Sequence, residues 1–128
     1  LEDGRIILIR QFRPAAQDYI LEIPAGRLEE GETGADCVAR EIQEEIGYQS
    51  SNLEQLGFVY SSVGFCNEKI YLFVAKQLTR CGTNLEPDEF IEPIIMALDE
   101  ALKMIENGQI IDAKTQISLL RYALSLKG

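Results

Sequence analysis

Apolar and polar positions along this chain follow two rhythms, and the switches between them predict its elements. Short runs rich in β-branched and aromatic residues at Arg5–Arg10, Tyr19–Ile23, Leu53–Ser61, Lys69–Lys76 and Ile91–Leu98 predict strands. Apolar residues spaced by three or four predict helices. The first should run from about Gly34 to Ile46, opened by the T-x-x-D pair Thr33 and Asp36 and closed by Gly47 in a left-handed conformation. A second is expected to be capped by Asp99 and to stop at Gly108. A third, capped by Asp112, is expected to bury Ala113, Ile117, Leu120 and Leu124. Gln11 to Pro14 should leave the sheet, because proline cannot continue a paired ladder. Strands dominate the middle and no β-α-β run is visible, so the class expected is α/β of the α+β kind, a sandwich of helices and sheet.

One helix does not fit a simple amphipathic scheme. If Ala35, Val38, Ala39, Ile42 and Ile46 form its buried stripe, then Glu41, Glu44 and Glu45 share another face within an arc of about 100°. Like charges that close repel and raise one another's pKa, so an exposed patch of this kind asks for a divalent cation.

Composition narrows what such a cation could serve. The 128 residues hold twelve basic and twenty-one acidic side chains, a net charge of -9, which disfavours binding to a nucleic-acid backbone. An acidic protein reaches an anionic substrate through a bridging metal rather than by direct attraction. The absence of histidine removes the usual triads, the common zinc sites and imidazole catalysis, leaving carboxylates and metal. Cys37, Cys66 and Cys81 form no C-x-x-C pair, so a reduced, cytoplasmic setting is expected. No apolar run approaches a membrane span. A length of 128 residues suits a single domain over 1-128, although the chain opens on Leu1, a few residues before a strand, and an upstream segment is expected to be missing.

From Gly26 to Tyr48 the sequence resembles the signature of the Nudix hydrolases, G-x5-E-x7-R-E-U-x-E-E-x-G-U with U apolar. Gly26, Glu32, Arg40, Glu41, Ile42, Glu44, Glu45 and Gly47 fall on its slots, and Tyr48 takes a final slot more often aliphatic. The resemblance implies a Nudix-like α/β/α sandwich with a mixed β-sheet and the signature as loop, helix and loop. It implies Mg²⁺, with Mn²⁺ as a substitute, held by Glu41, Glu44, Glu45 and the carbonyl of Ala25. Gly26 is expected to adopt a backbone conformation closed to other residues, which turns that carbonyl towards the metal. Arg40 is expected to pair with Glu32 and to orient the acidic face.

Substrate-side expectations rest on a closer resemblance, to ADP-ribose pyrophosphatases. RQFRPA is similar to the segment in which an arginine corresponding to Arg13 contacts substrate; read by itself, Arg13 is either a solvated charge or a guanidinium fork for a phosphate or a sugar hydroxyl. Ser62, Gly64 and Glu68 match a substrate loop, with Val63 where that subfamily has proline, and Arg27 is assigned to the same side. A mobile loop in the family brings a further glutamate. Here the acidic segment is Glu86, Asp88, Glu89 and Glu92, with Glu89 aligned as a loop metal ligand; Glu86 or Asp88 stands in as the base, or Glu89 serves both roles. The implied reaction is hydrolysis of ADP-ribose to AMP and ribose 5-phosphate, catalysed by Glu45, Glu89 and Glu86, in a homodimer. The alternatives are hydrolysis of another nucleoside diphosphate sugar such as GDP-mannose, or a sensor that binds a nucleotide sugar without cleaving it.

Overall fold

A computed structural model describes residues 1–82 and 91–127. In chain order the elements are β1 (Arg5–Arg13), β2 (Asp18–Glu22), α1 (Gly34–Ile46), β3 (Tyr48–Tyr60), β4 (Lys69–Arg80), β5 (Ile91–Ala97), α2 (Leu98–Glu106) and α3 (Ala113–Ser125). This is the α+β class expected. Pairing among the described residues is antiparallel, in a sheet ordered β2-β1-β5 and a separate hairpin of β3 and β4, so the mixed pairing implied by the resemblance does not occur in these strands.

β1 is the strand that creates the layers. Successive side chains on a strand point to opposite faces, and Leu8 and Ile9, each 1% exposed, use both. Leu8 joins Met96, Ala101, Ile110 and Leu119 under α2 and α3, while Ile9 joins Ile42, Ile46 and Ile91 under α1. Burying two such side chains contributes about 1.5–3 kcal/mol each. Helices therefore cover both faces of the three-stranded sheet.

Several expectations need correction. β1 does not leave the sheet at Gln11: Gln11, Phe12 and Arg13 pair with Ile20, Tyr19 and Asp18, and Pro14 falls in the turn beyond. β3 begins at Tyr48, and polar Gln49, Ser50 and Asn52 are held in the ladder by Thr79, Leu78 and Lys76, because a partner strand is already in register. α2 starts after Ala97 with no side-chain cap; Asp99 sits in its first turn, where it favours the helix dipole instead. In α3 the buried positions are Thr115 and Leu119, whereas Leu120 and Leu124 are 47% and 66% exposed and Ala113 is exposed. Two interleaved i, i+4 series fit this helix, and the one containing a threonine is the one that faces the core.

Candidate active site

Local signals fix α1 at both ends. Thr33 Oγ1 accepts the Asp36 N–H at 3.1 Å and the Asp36 carboxylate accepts the Thr33 N–H at 3.3 Å, a reciprocal cap worth about 1 kcal/mol. At the other end Gly47, with φ 75°, donates its N–H to the carbonyls of Gln43 and Ile42. Its buried residues are Cys37, Ile42, Glu45 and Ile46, while Ala35 and Ala39 are exposed. The helix is thus rotated relative to the stripe expected, and that rotation turns acids inward. Glu45 is buried and the Glu41 side chain is only 14% exposed, so the acidic face is not the open patch that spacing suggested.

The Ala25–Gly26 segment before the helix meets those acids. Ala25 donates its N–H to Glu45 Oε2 at 3.3 Å. Gly26 packs directly against Glu41: a β-carbon there would overlap the carboxylate and lie 2.6 Å from its Cγ. Gly26 is not among the glycines with positive φ, which corrects the expectation of a special backbone conformation. Glycine leaves the space that the Glu41 side chain fills.

Arg40 joins the pieces. Its Nε and Nη2 donate to the two oxygens of Glu32 at 2.8 and 3.1 Å, Nη2 also donates to the Arg27 carbonyl at 3.1 Å, and Nη1 reaches Glu41 at 2.8 Å and Glu44 at 3.4 Å. The hydrogen bond from Arg40 holds the Glu32 carboxyl below its usual range, helped by the Glu29 N–H. Glu41 is pushed the other way, chiefly by burial, with neighbouring Glu44 adding to the rise and Arg40 opposing it. A buried carboxylate raised by desolvation gains most from an added cation. Among the described residues no three acidic or sulfur side chains converge as a ready metal cage. The donor chemistry nonetheless fits a hard divalent cation, with carboxylate and carbonyl oxygens from Glu41, Glu44, Glu45 and Ala25 and no histidine.

A cleft of about 1060 Å³ lies beside this cluster, between the three-stranded sheet and the β3–β4 hairpin. Arg13, Ala25, Gly26, Arg27, Glu41, Glu45 and Glu68 line it; Glu32, Arg40, Glu44, Gly47, Ser62 and Gly64 do not. Ser62, Gly64 and Glu68 are exposed in a loop closed by Ser61 N–H to the Glu68 carbonyl at 3.1 Å. Glu86, Asp88 and Glu89 lie outside the described residues. Glu92 is on β5, paired with Arg10 at 2.6 Å.

Sequence reasoning missed a polar cluster on the cleft side of β2. Glu22, 2% exposed, accepts Arg13 through Nε and Nη2 at 2.8 Å each and Lys114 Nζ at 2.7 Å. The Arg13 fork, read from sequence as either solvated or open to a phosphate or sugar hydroxyl, is thus engaged on two of its nitrogens by a carboxylate. Burial works to raise the Glu22 pKa, but hydrogen bonds from Arg13 and Lys114 outweigh it and hold the carboxyl below its usual range. The available signal was a lone acid inside the apolar run YILEIP.

A capped helix that turns glutamates against a glycine segment, with an arginine organising them, defines a class: the NUDIX domain matches residues 1–115, and the chain belongs to that family. It is 38% identical over 120 residues to an ADP-ribose pyrophosphatase of Bacillus subtilis (92% of this chain, 65% of the relative) and 40% identical over 119 residues to a methanol dehydrogenase activator of Bacillus methanolicus (91% and 64%). A GDP-mannose pyrophosphatase of Citrobacter koseri is 37% identical over 131 residues, covering 94% of this chain and 67% of the relative. The chain therefore spans just under two thirds of the first two relatives. A solved crystal structure of an ADP compounds hydrolase superposes with a TM-score of 0.90 at 23% identity, over 98% of this chain and 68% of that one, and shares the fold.

Proposed function

We propose that this chain hydrolyses the pyrophosphate bond of a nucleoside diphosphate sugar, with ADP-ribose as first choice and AMP and ribose 5-phosphate as products. The observation that carries the reading is the packing of Glu41 and Glu45 onto the Ala25–Gly26 segment, on the wall of a cleft of about 1060 Å³. Identity of 38% to an ADP-ribose pyrophosphatase supports the substrate.

Glu41, Glu44, Glu45, the Ala25 carbonyl and Glu89 would hold Mg²⁺, or Mn²⁺ in its place. Bound there, the cation supplies charge neutralisation on the diphosphate and a more acidic water. The chain's own residues do the rest. Arg40 holds Glu32 and Glu41 in fixed orientation. Glu89 or Glu86, from the acidic segment that precedes Ile91 in sequence, takes a proton from water as it attacks phosphorus, and the bridging P–O bond breaks towards the leaving phosphate. Arg27 and Glu68 face the cleft, where substrate would lie; Arg13, Ser62 and Gly64 complete the assignment on that side.

GDP-mannose is the competing substrate, favoured by relatives such as the 37% identical GDP-mannose pyrophosphatase. The same reading includes a homodimer, to be tested by sedimentation, and a cytoplasmic setting, supported by three free cysteines. No helix among the described residues is long and apolar enough to cross a membrane. The test of function is a panel of ADP-ribose, GDP-mannose, dinucleoside polyphosphates, NADH and coenzyme A, each with Mg²⁺ or chelator, with products identified. Metal-dependent release of AMP from ADP-ribose is expected. Binding of nucleotide sugars without cleavage of any would overturn the hydrolase in favour of a sensor.

A further inference from the structure

The segment that carries Ala25 is short and pinned from two directions. The β1–β2 ladder ends at the pair Ile9 and Glu22, so the N–H of Ile23 has already left the sheet. It donates instead to Thr115 Oγ1, at 3.0 Å, on the first turn of α3. Thr115 is fully buried, and its own hydroxyl donates to the Asp112 carboxylate at 2.6 Å, which also accepts the Thr115 N–H at 3.1 Å and Lys114 Nζ at 3.0 Å. Lys114 in turn reaches Glu22, one residue before Ile23, at 2.7 Å. Two residues beyond Ile23, the Ala25 N–H meets Glu45. Pro24 stands between them with φ restricted by its ring, so little slack remains between the α3 anchor and the Ala25 peptide.

We propose that the first turn of α3 is a positioning element for the Ala25–Gly26 segment, with Thr115 acting through Ile23 and Lys114 through Glu22. The proposal rests on the functional reading above, in which Ala25 and Glu45 face the metal. Thr115 is fully buried, and Lys114 lines the cleft with its ammonium held by Glu22 and Asp112; both set where the Ala25 carbonyl lies, as outer partners of metal ligands do elsewhere.

The test is Mn²⁺ binding to the metal-free protein, followed by the loss of the free-ion electron paramagnetic resonance signal well below the melting temperature. Thr115→Val keeps the shape and removes the hydroxyl; it should weaken Mn²⁺ binding about tenfold, while Thr115→Ser restores it, and Lys114→Ala should weaken it in the same direction. A merely structural role would lower thermal stability without moving the midpoint of folded protein. Equal midpoints in wild type and Thr115→Val overturn the proposal and leave the functional reading standing. Wild-type protein that binds no Mn²⁺ and cleaves no substrate overturns both. Should Thr115→Val not fold, Lys114→Ala decides, because that side chain is partly exposed and its removal empties no core: weaker binding supports the proposal and an unchanged midpoint overturns it.

Discussion

Replacing Gly26 by alanine adds one methyl group at the place where the structure has least room for it. The new carbon would overlap the Glu41 carboxylate and lie 2.6 Å from Glu41 Cγ. Ordinary carbon contacts are about 3.5–4 Å and the carboxylate stands closer still, so the side chain must retreat by about 1.5 Å. Retreat breaks or stretches the 2.8 Å contact between Arg40 Nη1 and Glu41, while Arg40 keeps its fork on Glu32. Losing a half-buried charge-assisted hydrogen bond costs about 1.5–3 kcal/mol. Because Gly26 has no left-handed backbone to lose, alanine recovers about 0.4–1 kcal/mol by restricting the unfolded chain. The net loss is about 1–2 kcal/mol, a fall in Tm of about 3–8 °C. Catalysis should suffer more, since misplacing a catalytic group by 1 Å costs about 100-fold. The assay is nucleotide release against Mg²⁺ concentration, with thermal melts on the same samples. Gly31→Ala is the control: Gly31 has φ 80° with nothing within 4 Å of an added β-carbon, so alanine there brings strain of about 1–2 kcal/mol and no clash. Its turnover should stay near wild type. Gly26→Ala with wild-type turnover and an unchanged Mg²⁺ midpoint would refute the steric reasoning.

Further outcomes follow from the same geometry. Glu45→Gln should lower turnover by orders of magnitude with the fold intact, read by initial rates and circular dichroism; near wild-type rates at saturating Mg²⁺ would sink its assignment. Glu22 and Asp112 both titrate below their ordinary values, because hydrogen bonds from Arg13, Lys114 and Thr115 outweigh burial. A depressed folded pKa gives stability that is complete above the unfolded value and lost as pH falls through the folded one. The stability that this pair contributes should therefore be level from pH 7 to about pH 5 and decline below about pH 4. Glu22→Gln should flatten that decline and cost about 2 kcal/mol at pH 7, the lower side for a broken buried pair because Arg13 is half-exposed; an unchanged acid limb would count against the network. Leu119→Ala should cost about 2–5 kcal/mol by denaturant unfolding and Leu120→Ala less than about 1, since Leu119 is 4% and Leu120 47% exposed. Equal losses would restore the helix face expected from periodicity.

By itself the sequence determined α1, its caps, the positions of Glu41, Glu44 and Glu45, and the order of strands and helices. Those features depend on residues within a few positions of one another: Thr33 and Asp36 close a local cap, and Gly47 ends the helix whatever surrounds it. Tertiary structure alone decided which face of each helix is inside. Ala35 and Ala39 satisfy the apolar spacing yet are exposed, and Glu45 violates it yet is buried, because burial depends on what packs opposite, here β1 and the Ala25–Gly26 segment. The same holds for α3, where Thr115 rather than Leu120 is buried and accepts the N–H of Ile23, 92 residues away. Gly26 looked like a backbone requirement and is a packing requirement, visible only once Glu41 stands against it. Local sequence specifies the helix and its caps, but a buried charge is tolerable only where distant partners meet it, and the sequence order does not state where those partners lie.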